Sequence, residues 1–255
     1  MKNKTVKRLG WVPDVPDHRD HIYAAPVEWL TKLPANIDLT KKCPPVYDQG
    51  QLGSCTANAI AAAVEFDQMK QKVKNVFVPS RLFIYYNERV MERTVDSDSG
   101  AQIRDGIKSV GRQGDCPEPL WPYDIAEFAV QPPASCYRNA VQHKAVLYQR
   151  VNRNMNQMKG CLASGYPFVF GFSVYESFMS SAVAKTGHAP MPAPNEELEG
   201  GHAVLAVGYD DANQWFIVRN SWGTGWGMKG YFTLPYAYLL DGNLSDDFWT
   251  IRVVK

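Results

Sequence analysis

The residues best suited to chemistry lie in the run from Asp48 to Ala59, which carries a cysteine at a predicted helix start. Cys55 follows a glycine-bearing turn and opens an Ala-rich stretch. A thiol at a helix N-terminus faces unpaired backbone N–H groups and the positive end of the helix dipole, which favours the thiolate. Gln49, six residues upstream, carries an amide that can donate to an oxyanion. Cys55 is therefore a candidate nucleophile, and Gln49 with the Cys55 N–H is a candidate oxyanion hole.

Two polar residues far downstream are candidates for a catalytic base and for the residue that orients it. His202 follows two glycines at the predicted start of a strand, and Asn220 ends the next predicted strand. An imidazole can hold a thiolate as an ion pair and then protonate a leaving amine. An amide bonded to the other ring nitrogen fixes the tautomer. Cys55, His202 and Asn220 together predict acyl transfer by a cysteine nucleophile.

The elements that must position these residues differ between the two halves of the chain. Apolar spacing predicts helices from Cys55 to about Lys72, after Pro79-Ser80, from Ile103 to near Gly114, and around Met155 to Leu162. Strand-like runs follow at 167–172, 202–209, 214–219, 230–234 and 248–253, with a long surface loop at 187–201. This order predicts an α+β fold with the site between the two halves.

These patterns divide the chain into three segments. Residues 1–32 form an N-terminal extension, which its prolines predict to be extended and irregular. Residues 33–150 form a mainly helical half that carries Cys55, and residues 151–255 form a β-rich half that carries His202 and Asn220.

Composition excludes several classes. A net charge of +1 over 255 residues gives no case for nucleic acid or an anionic membrane as partner. No run is apolar enough to span a bilayer, and the N-terminus lacks the apolar stretch of a signal peptide. We therefore expect a cytoplasmic protein, or one exported by a route without a cleavable signal peptide.

The cysteines predict no metal site. There are five, at irregular spacings and without a Cys-x-x-Cys pair, so zinc binding is not expected. We expect Cys43, Cys116, Cys136 and Cys161 to be buried free thiols, although two disulfides among them remain arithmetically possible.

The three blocks around these residues resemble the papain-like cysteine peptidases. Gln49…Gly53-Ser54-Cys55, then His202-Ala203-Val204, then Asn220-Ser221-Trp222-Gly223 match that family's signatures in order. The resemblance covers roughly residue 33 to the C-terminus. The short extension is similar to that of the bacterial, xylellain-like branch. It implies a helical left half, an antiparallel β-barrel-like right half, and an active-site cleft between them.

The resemblance also implies roles for four more residues. Trp222 is similar to the tryptophan that shields the His–Asn bond from water. Gly53 and Gly100 match positions near the bound substrate, Gly100 as a candidate for main-chain recognition. Ala203 is similar to a residue bordering the pocket for the side chain two positions before the cut, which is usually apolar in the family. We expect apolar residues there.

The implied activity is a cysteine endopeptidase acting on peptides or proteins as a monomer, with no cofactor. Two other classes share these residues. A transferase or peptide ligase would resolve the acyl-enzyme with an amine, and an inactive relative would bind peptides without turnover. Addition of an amine acceptor separates the first of these, and the absence of turnover identifies the second.

The extension supports a separate hypothesis. An extended segment beside an open cleft can lie over it and restrict access, because extended peptide is the shape that such a cleft binds. Trp11, Tyr23 and Trp29 are candidate anchors. The alternative is a segment that packs on the outside of the protein for stability alone.

Overall fold

Helices dominate the first half of the chain and antiparallel strands the second. The computed structural model describes residues 9–255, so the first eight residues of the predicted extension lie outside the described part. The helices are α1 (Val27–Thr31), α2 (Cys55–Lys70), α3 (Arg81–Glu92), α4 (Ile103–Arg112), α5 (Ala134–Ala140), α6 (Met155–Ala163), α7 (Ser181–Thr186) and α8 (Tyr236–Leu240).

The four predicted helices are confirmed as α2, α3, α4 and α6. The start of α3 shows why the sequence predicted it: the Ser80 side chain accepts a hydrogen bond of 3.2 Å from the Phe83 N–H. The short helices α1, α5, α7 and α8 were not predicted, because five to seven residues are too few to show a helical period. Helix α1 also corrects the expectation that the extension is irregular throughout.

The strands form one antiparallel sheet. They are β1 (Asn36–Asp38), β2 (Ala145–Arg150), β3 (Phe168–Tyr175), β4 (Leu198–Asp210), β5 (Trp215–Arg219), β6 (Tyr231–Pro235) and β7 (Ser245–Val254). The strand order is β2-β7-β3-β4-β5-β6, with β1 paired to the end of β4. Within the described residues β2 and β6 are the two ends of this order and do not pair with each other, so the sheet is open and does not close into a barrel.

Several strand boundaries differ from the sequence prediction, and the largest difference is at β4. Strand β4 begins at Leu198, so His202 is its fifth residue and not its first. The predicted surface loop of 187–201 therefore ends as strand. The error arose at Gly200 and Gly201, which read as loop residues but pair with β3. Strands β1 and β2 were also missed, and they bring residues 36–38 and 145–150 into the sheet.

Helix α2 lies at the centre of the molecule. Its residues from Cys55 to Gln68 are all buried, and it packs against β4, β7, α3 and α4. The run Ala61-Ala62-Ala63 makes this possible, because small side chains allow close approach on several sides. The core is continuous from α2 to the sheet. The N-terminus of α2 is thereby fixed directly against β4.

Candidate active site

Cys55 is the first residue of α2 and its side chain is buried. The Ala203 N–H donates to the Cys55 sulfur at 3.3 Å, which joins the helix to β4 at this point. Burial raises the pKa of the Cys55 thiol to about 12, although the N–H groups of Ala203, Gly10 and Thr56 lower it. The sequence argument from the helix dipole favoured a thiolate. In this structure desolvation outweighs the dipole, and the thiol is protonated at neutral pH.

His202 lies on β4, and Asn220 directly follows the neighbouring strand β5. The His202 Nε2 and Asn220 Oδ1 atoms are 2.8 Å apart, so the amide holds one ring nitrogen. The His202 Nδ1 has no hydrogen-bond partner among residues 9–255, which leaves it available for proton transfer. Burial lowers the pKa of His202 to about 4, against a smaller raising effect of Asn220. The imidazole is therefore neutral in this state.

Trp222 covers this pair. Its ring stacks on His202 with centroids 4.8 Å apart and an interplanar angle of 25°. The Trp222 side chain is itself buried. An apolar ring over the His202–Asn220 hydrogen bond keeps water from competing for it.

Gln49 lies buried behind the nucleophile turn. Its Nε2 donates to the Leu52 carbonyl at 2.9 Å, and its Oε1 accepts from the Ser221 hydroxyl at 2.6 Å. These contacts tie the turn before α2 to the residue after Asn220. The oxyanion role of Gln49 stays a prediction.

The three predicted substrate-contact residues line the same region. The Gly53 N–H donates to the Asp98 carboxylate at 3.0 Å. Gly100 has φ +75° and its N–H donates to the Tyr85 hydroxyl at 3.2 Å. Ala203 pairs with Gly171 across β4 and β3, so the two positions share one face of the sheet.

An N-terminal segment lies directly over these residues. We call residues 9–24 the strap. Gly10 and Trp11 donate their N–H groups to the Gly201 carbonyl at 3.0 and 2.9 Å, and Ala101 exchanges main-chain hydrogen bonds with Gly10 and Val12. A Cβ on Gly10 would lie 1.9 Å from the Gly53 oxygen, so only glycine fits there. The strap fills the space over Cys55.

Sequence reasoning missed several residues that bind the strap. Main-chain pairing is made by Ala101, one position after the predicted Gly100. The Gly201 carbonyl was not anticipated, because a backbone acceptor leaves no mark in the sequence. Asp247 was also missed, and it accepts a 3.1 Å hydrogen bond from Trp11 Nε1. Trp11 itself was named as an anchor, because a large aromatic residue stood out in a proline-rich segment.

Two negative findings complete the description. No group of three or more His, Cys, Asp or Glu side chains within residues 9–255 is arranged to hold a metal ion. None of the described helices combines the length and apolar character needed to cross a membrane. All five cysteines are free thiols; four are buried, as expected, whereas Cys43 is only half-buried.

A thiol at a helix N-terminus, beside the strand that carries an imidazole held by an amide, defines a cysteine protease of the two-layered α+β kind. Residues 33–239 match the family model described as papain family cysteine protease. The chain belongs to the papain family of cysteine proteases.

Individual relatives agree with this assignment. The chain is similar to xylellain, a cysteine protease from Xylella fastidiosa, with 46% identity, a TM-score of 0.93, and coverage of 100% of this chain and 99% of that chain. It is also 46% identical to an uncharacterized peptidase C1-like protein of Acanthamoeba polyphaga mimivirus, over 100% of this chain and 90% of that protein. Cysteine proteinase 1 of Entamoeba histolytica is 28% identical over 83% of this chain and 65% of its own length.

Proposed function

We propose that this protease is an endopeptidase in which Cys55 is the nucleophile, His202 the acid and base, and Asn220 the residue that orients the imidazole. The observation that carries the proposal is the meeting of two elements: the N-terminus of α2 and strand β4 join through the 3.3 Å contact from the Ala203 N–H to the Cys55 sulfur. This contact brings the thiol beside the strand that carries His202. The unpartnered His202 Nδ1 supports proton exchange with that thiol.

The reaction follows from these groups. The Cys55 proton moves to His202, and the thiolate attacks the carbonyl carbon of the scissile bond. The carbon–nitrogen bond breaks as the imidazolium gives its proton to the leaving amine, and a thioester forms. His202 then takes a proton from water, the hydroxide attacks the thioester, and the thiol is released with its proton restored. Gln49 and the Cys55 N–H are proposed to hold the oxyanion in both steps.

The strap is proposed to inhibit the enzyme until it is displaced. Three features support this. The N–H groups of Gly10 and Trp11 both donate to the Gly201 carbonyl, and Gly10 packs tightly against Gly53. Both Cys55 and His202 are fully buried. The Gly10 N–H lies close enough to the sulfur to lower its pKa, so the strap presents an amide donor to the nucleophile.

The remaining properties are proposals of the same kind. The substrates are peptides or proteins, and the enzyme acts as a monomer without a cofactor, a nucleic acid or a membrane partner. We also propose a cytoplasmic location, or export by a route without a cleavable signal peptide. A nearly neutral chain supports the absence of a nucleic-acid partner, since that binding needs many basic side chains.

The test compares the full chain with variants that dislodge the strap. Gly10→Ala places a methyl group against the Gly53 oxygen, and Trp11→Ala removes the anchor. Val15→Ala is the matched control, because Val15 belongs to the strap but its side chain is 67% exposed. We expect both strap variants to hydrolyse a fluorogenic peptide at least tenfold faster than the wild type and the control.

Labelling by a peptidyl epoxide assigns the nucleophile in the same proteins. In the Trp11→Ala background, labelling is expected to vanish with Cys55→Ala and to persist with Cys161→Ala. Equal hydrolysis by wild type and both strap variants would refute inhibition by the strap. Folded strap variants that neither hydrolyse peptides nor react with the epoxide would refute the protease mechanism itself.

A further inference from the structure

The side chain of Trp11 occupies a pocket in the sheet beside the nucleophile. A Cβ on Gly171 would lie 2.0 Å from the Trp11 ring, and one on Gly201 would lie 2.9 Å from it. The indole therefore rests directly on the bare backbone of two neighbouring strands. Any larger residue at either position would fill the pocket, so these glycines make room for a flat, two-ring side chain.

Asp247 closes the far end of this pocket and is only 1% exposed. Its Oδ1 accepts from Arg150 Nη2 at 3.1 Å. Its Oδ2 accepts from two donors among the described residues, Trp11 Nε1 at 3.1 Å and the Asp14 N–H at 2.8 Å. Both of those donors belong to the strap. When the strap leaves, a buried carboxylate oxygen loses every hydrogen bond given to it here, which is costly unless a ligand replaces one.

The backbone aims Asp247 into the pocket. Between β3 and β7, Val169 pairs with Trp249 and Gly171 pairs with Asp246, so β7 carries one extra residue over this interval. Asp247 lies in this bulge with φ +58°, a conformation that non-glycine residues seldom adopt. Bulges often occur beside active sites, where they redirect a side chain.

The charge around Asp247 favours a neutral donor. Asp14 and Asp20 depart with the strap, whereas Arg104 and Arg150 remain on the body of the protein. Arg150 already supplies a cation to Asp247. A second cation in the pocket would therefore meet two guanidinium groups, while an indole N–H satisfies Oδ2 without adding charge.

We propose that this pocket selects a tryptophan side chain in the substrate, with Asp247 as the specificity-determining residue that accepts the indole N–H. The proposal rests on the protease function given above and adds the class of side chain that the cleft recognises. It also corrects the expectation of a purely apolar pocket beside Ala203, because a carboxylate lies at its end.

The test uses the Trp11→Ala protein, in which the pocket is vacated, and a set of fluorogenic peptides that differ in one residue. That residue, two positions before the bond to be cut, is tryptophan, 3-benzothienylalanine, phenylalanine or arginine. Benzothienylalanine has the shape of tryptophan with sulfur in place of the N–H. We expect kcat/KM for the tryptophan peptide to exceed that for the benzothienyl peptide about tenfold, because a hydrogen bond to a charged acceptor is lost.

Variants then assign the preference to Asp247. Asp247→Gly removes the carboxylate at a position whose positive φ suits glycine, and Asp247→Asn keeps the shape without the charge. We expect the tenfold ratio to fall to about one in the first and to an intermediate value in the second. Asp246→Asn is the matched control, since Asp246 also binds Arg150 but is 44% exposed. It is expected to leave the ratio unchanged.

Binding separates this proposal from the protease function. The same peptides are titrated into the Cys55→Ala, Trp11→Ala protein by calorimetry. A retained preference for tryptophan without hydrolysis in any variant would refute the catalytic mechanism and support the pocket. Equal affinity for the tryptophan and benzothienyl peptides, or a stronger response to arginine, would overturn the pocket assignment.

Discussion

Cys55 and His202 show how far desolvation governs the reactivity of a side chain. Burial raises the pKa of the thiol to about 12 and lowers the pKa of the imidazole to about 4, so both groups are neutral beneath the strap. An ion pair needs both shifts reversed. Access of water to the cleft moves both pKa values in that direction, because desolvation is the largest cause of each shift.

Asn220 is expected to matter through the orientation of His202. Replacement by Ala removes the acceptor 2.8 Å from His202 Nε2 and leaves a buried donor unsatisfied. In the Trp11→Ala background we expect Asn220→Ala to lower kcat at least tenfold with little change in KM. Steady-state hydrolysis of a fluorogenic peptide measures this. An unchanged kcat in the folded variant would contradict the orienting role.

At the scale of elements, the contact between the strap and the sheet depends on glycines in β3 and β4. Gly171 and Gly201 lie on neighbouring strands beneath Trp11, and Gly200 lies against Leu9. These strands are otherwise rich in buried aromatic and aliphatic side chains, which would leave no room for a covering segment. This backbone therefore leaves room for the strap, and under the proposed function for a substrate in its place.

Gly171→Ala tests this dependence. The added methyl group would lie 2.0 Å from the Trp11 ring, whereas the strand itself accepts Ala without strain. We expect Cys55 alkylation by a thiol reagent to become at least tenfold faster in the full chain, because the strap is displaced.

Gly225→Ala is the control for that experiment, since nothing lies within 4 Å of its Cβ position. Its alkylation rate is expected to equal that of the wild type. A Gly171→Ala protein that is alkylated as slowly as the wild type would show that Trp11 is not what holds the strap.

At the scale of the whole molecule, charges fasten the strap to both halves of the chain. Asp14 accepts from the Arg104 N–H and from Trp249 Nε1, each at 3.0 Å. Asp20 pairs with Arg104 at 2.6 Å. Arg104 belongs to α4 and Trp249 to β7, so the strap joins the helical layer to the sheet. Release of the strap therefore breaks contacts that connect the helical layer to the sheet.

Asp14 gives this fastening a pH dependence. Burial, reinforced by the nearby Asp247 carboxylate, raises the pKa of Asp14 from 3.8 to about 7. In the closed form, in which the strap is bound to the protein, Asp14 keeps its proton up to about pH 7. When the strap is released, Asp14 loses that proton above pH 3.8. The stability of the closed form is lost as the pH rises towards 7. Opening also relieves the burial that lowers the pKa of His202 to about 4, so the imidazole can take up a proton at pH 5.5, and this uptake opposes the trend from Asp14.

In a His202→Ala protein, where the opposing proton uptake by the imidazole is absent, we expect the strap to open about twentyfold more readily at pH 7.5 than at pH 5.5, from the two pKa values of Asp14. Hydrogen exchange of the amides of Gly10, Trp11 and Val12, corrected for the intrinsic effect of pH, measures the opening. In Asp14→Asn the pH dependence is expected to disappear. Protection that increases from pH 5.5 to pH 7.5 would contradict the assignment.

The sequence by itself determined the chemistry and the main elements. The types and order of Cys55, His202, Asn220 and Trp222 identified the class of enzyme, and apolar spacing predicted the four long helices and five of the strands. These features are local: a helix start, a period or a short motif is written in neighbouring residues. The α+β class followed from the same information.

Only the tertiary structure decided what surrounds the thiol. Whether the strap covers the cleft or packs elsewhere depends on contacts between residues more than 40 positions apart, such as Gly10 with Gly53 and Trp11 with Asp247. The protonation state of Cys55 depends on burial, which outweighs the local helix dipole. Backbone acceptors such as the Gly201 carbonyl and the bulge at Asp247 have no residue signature. Both features arise from contacts between segments that are distant in the sequence, so no pattern of neighbouring residues predicts them.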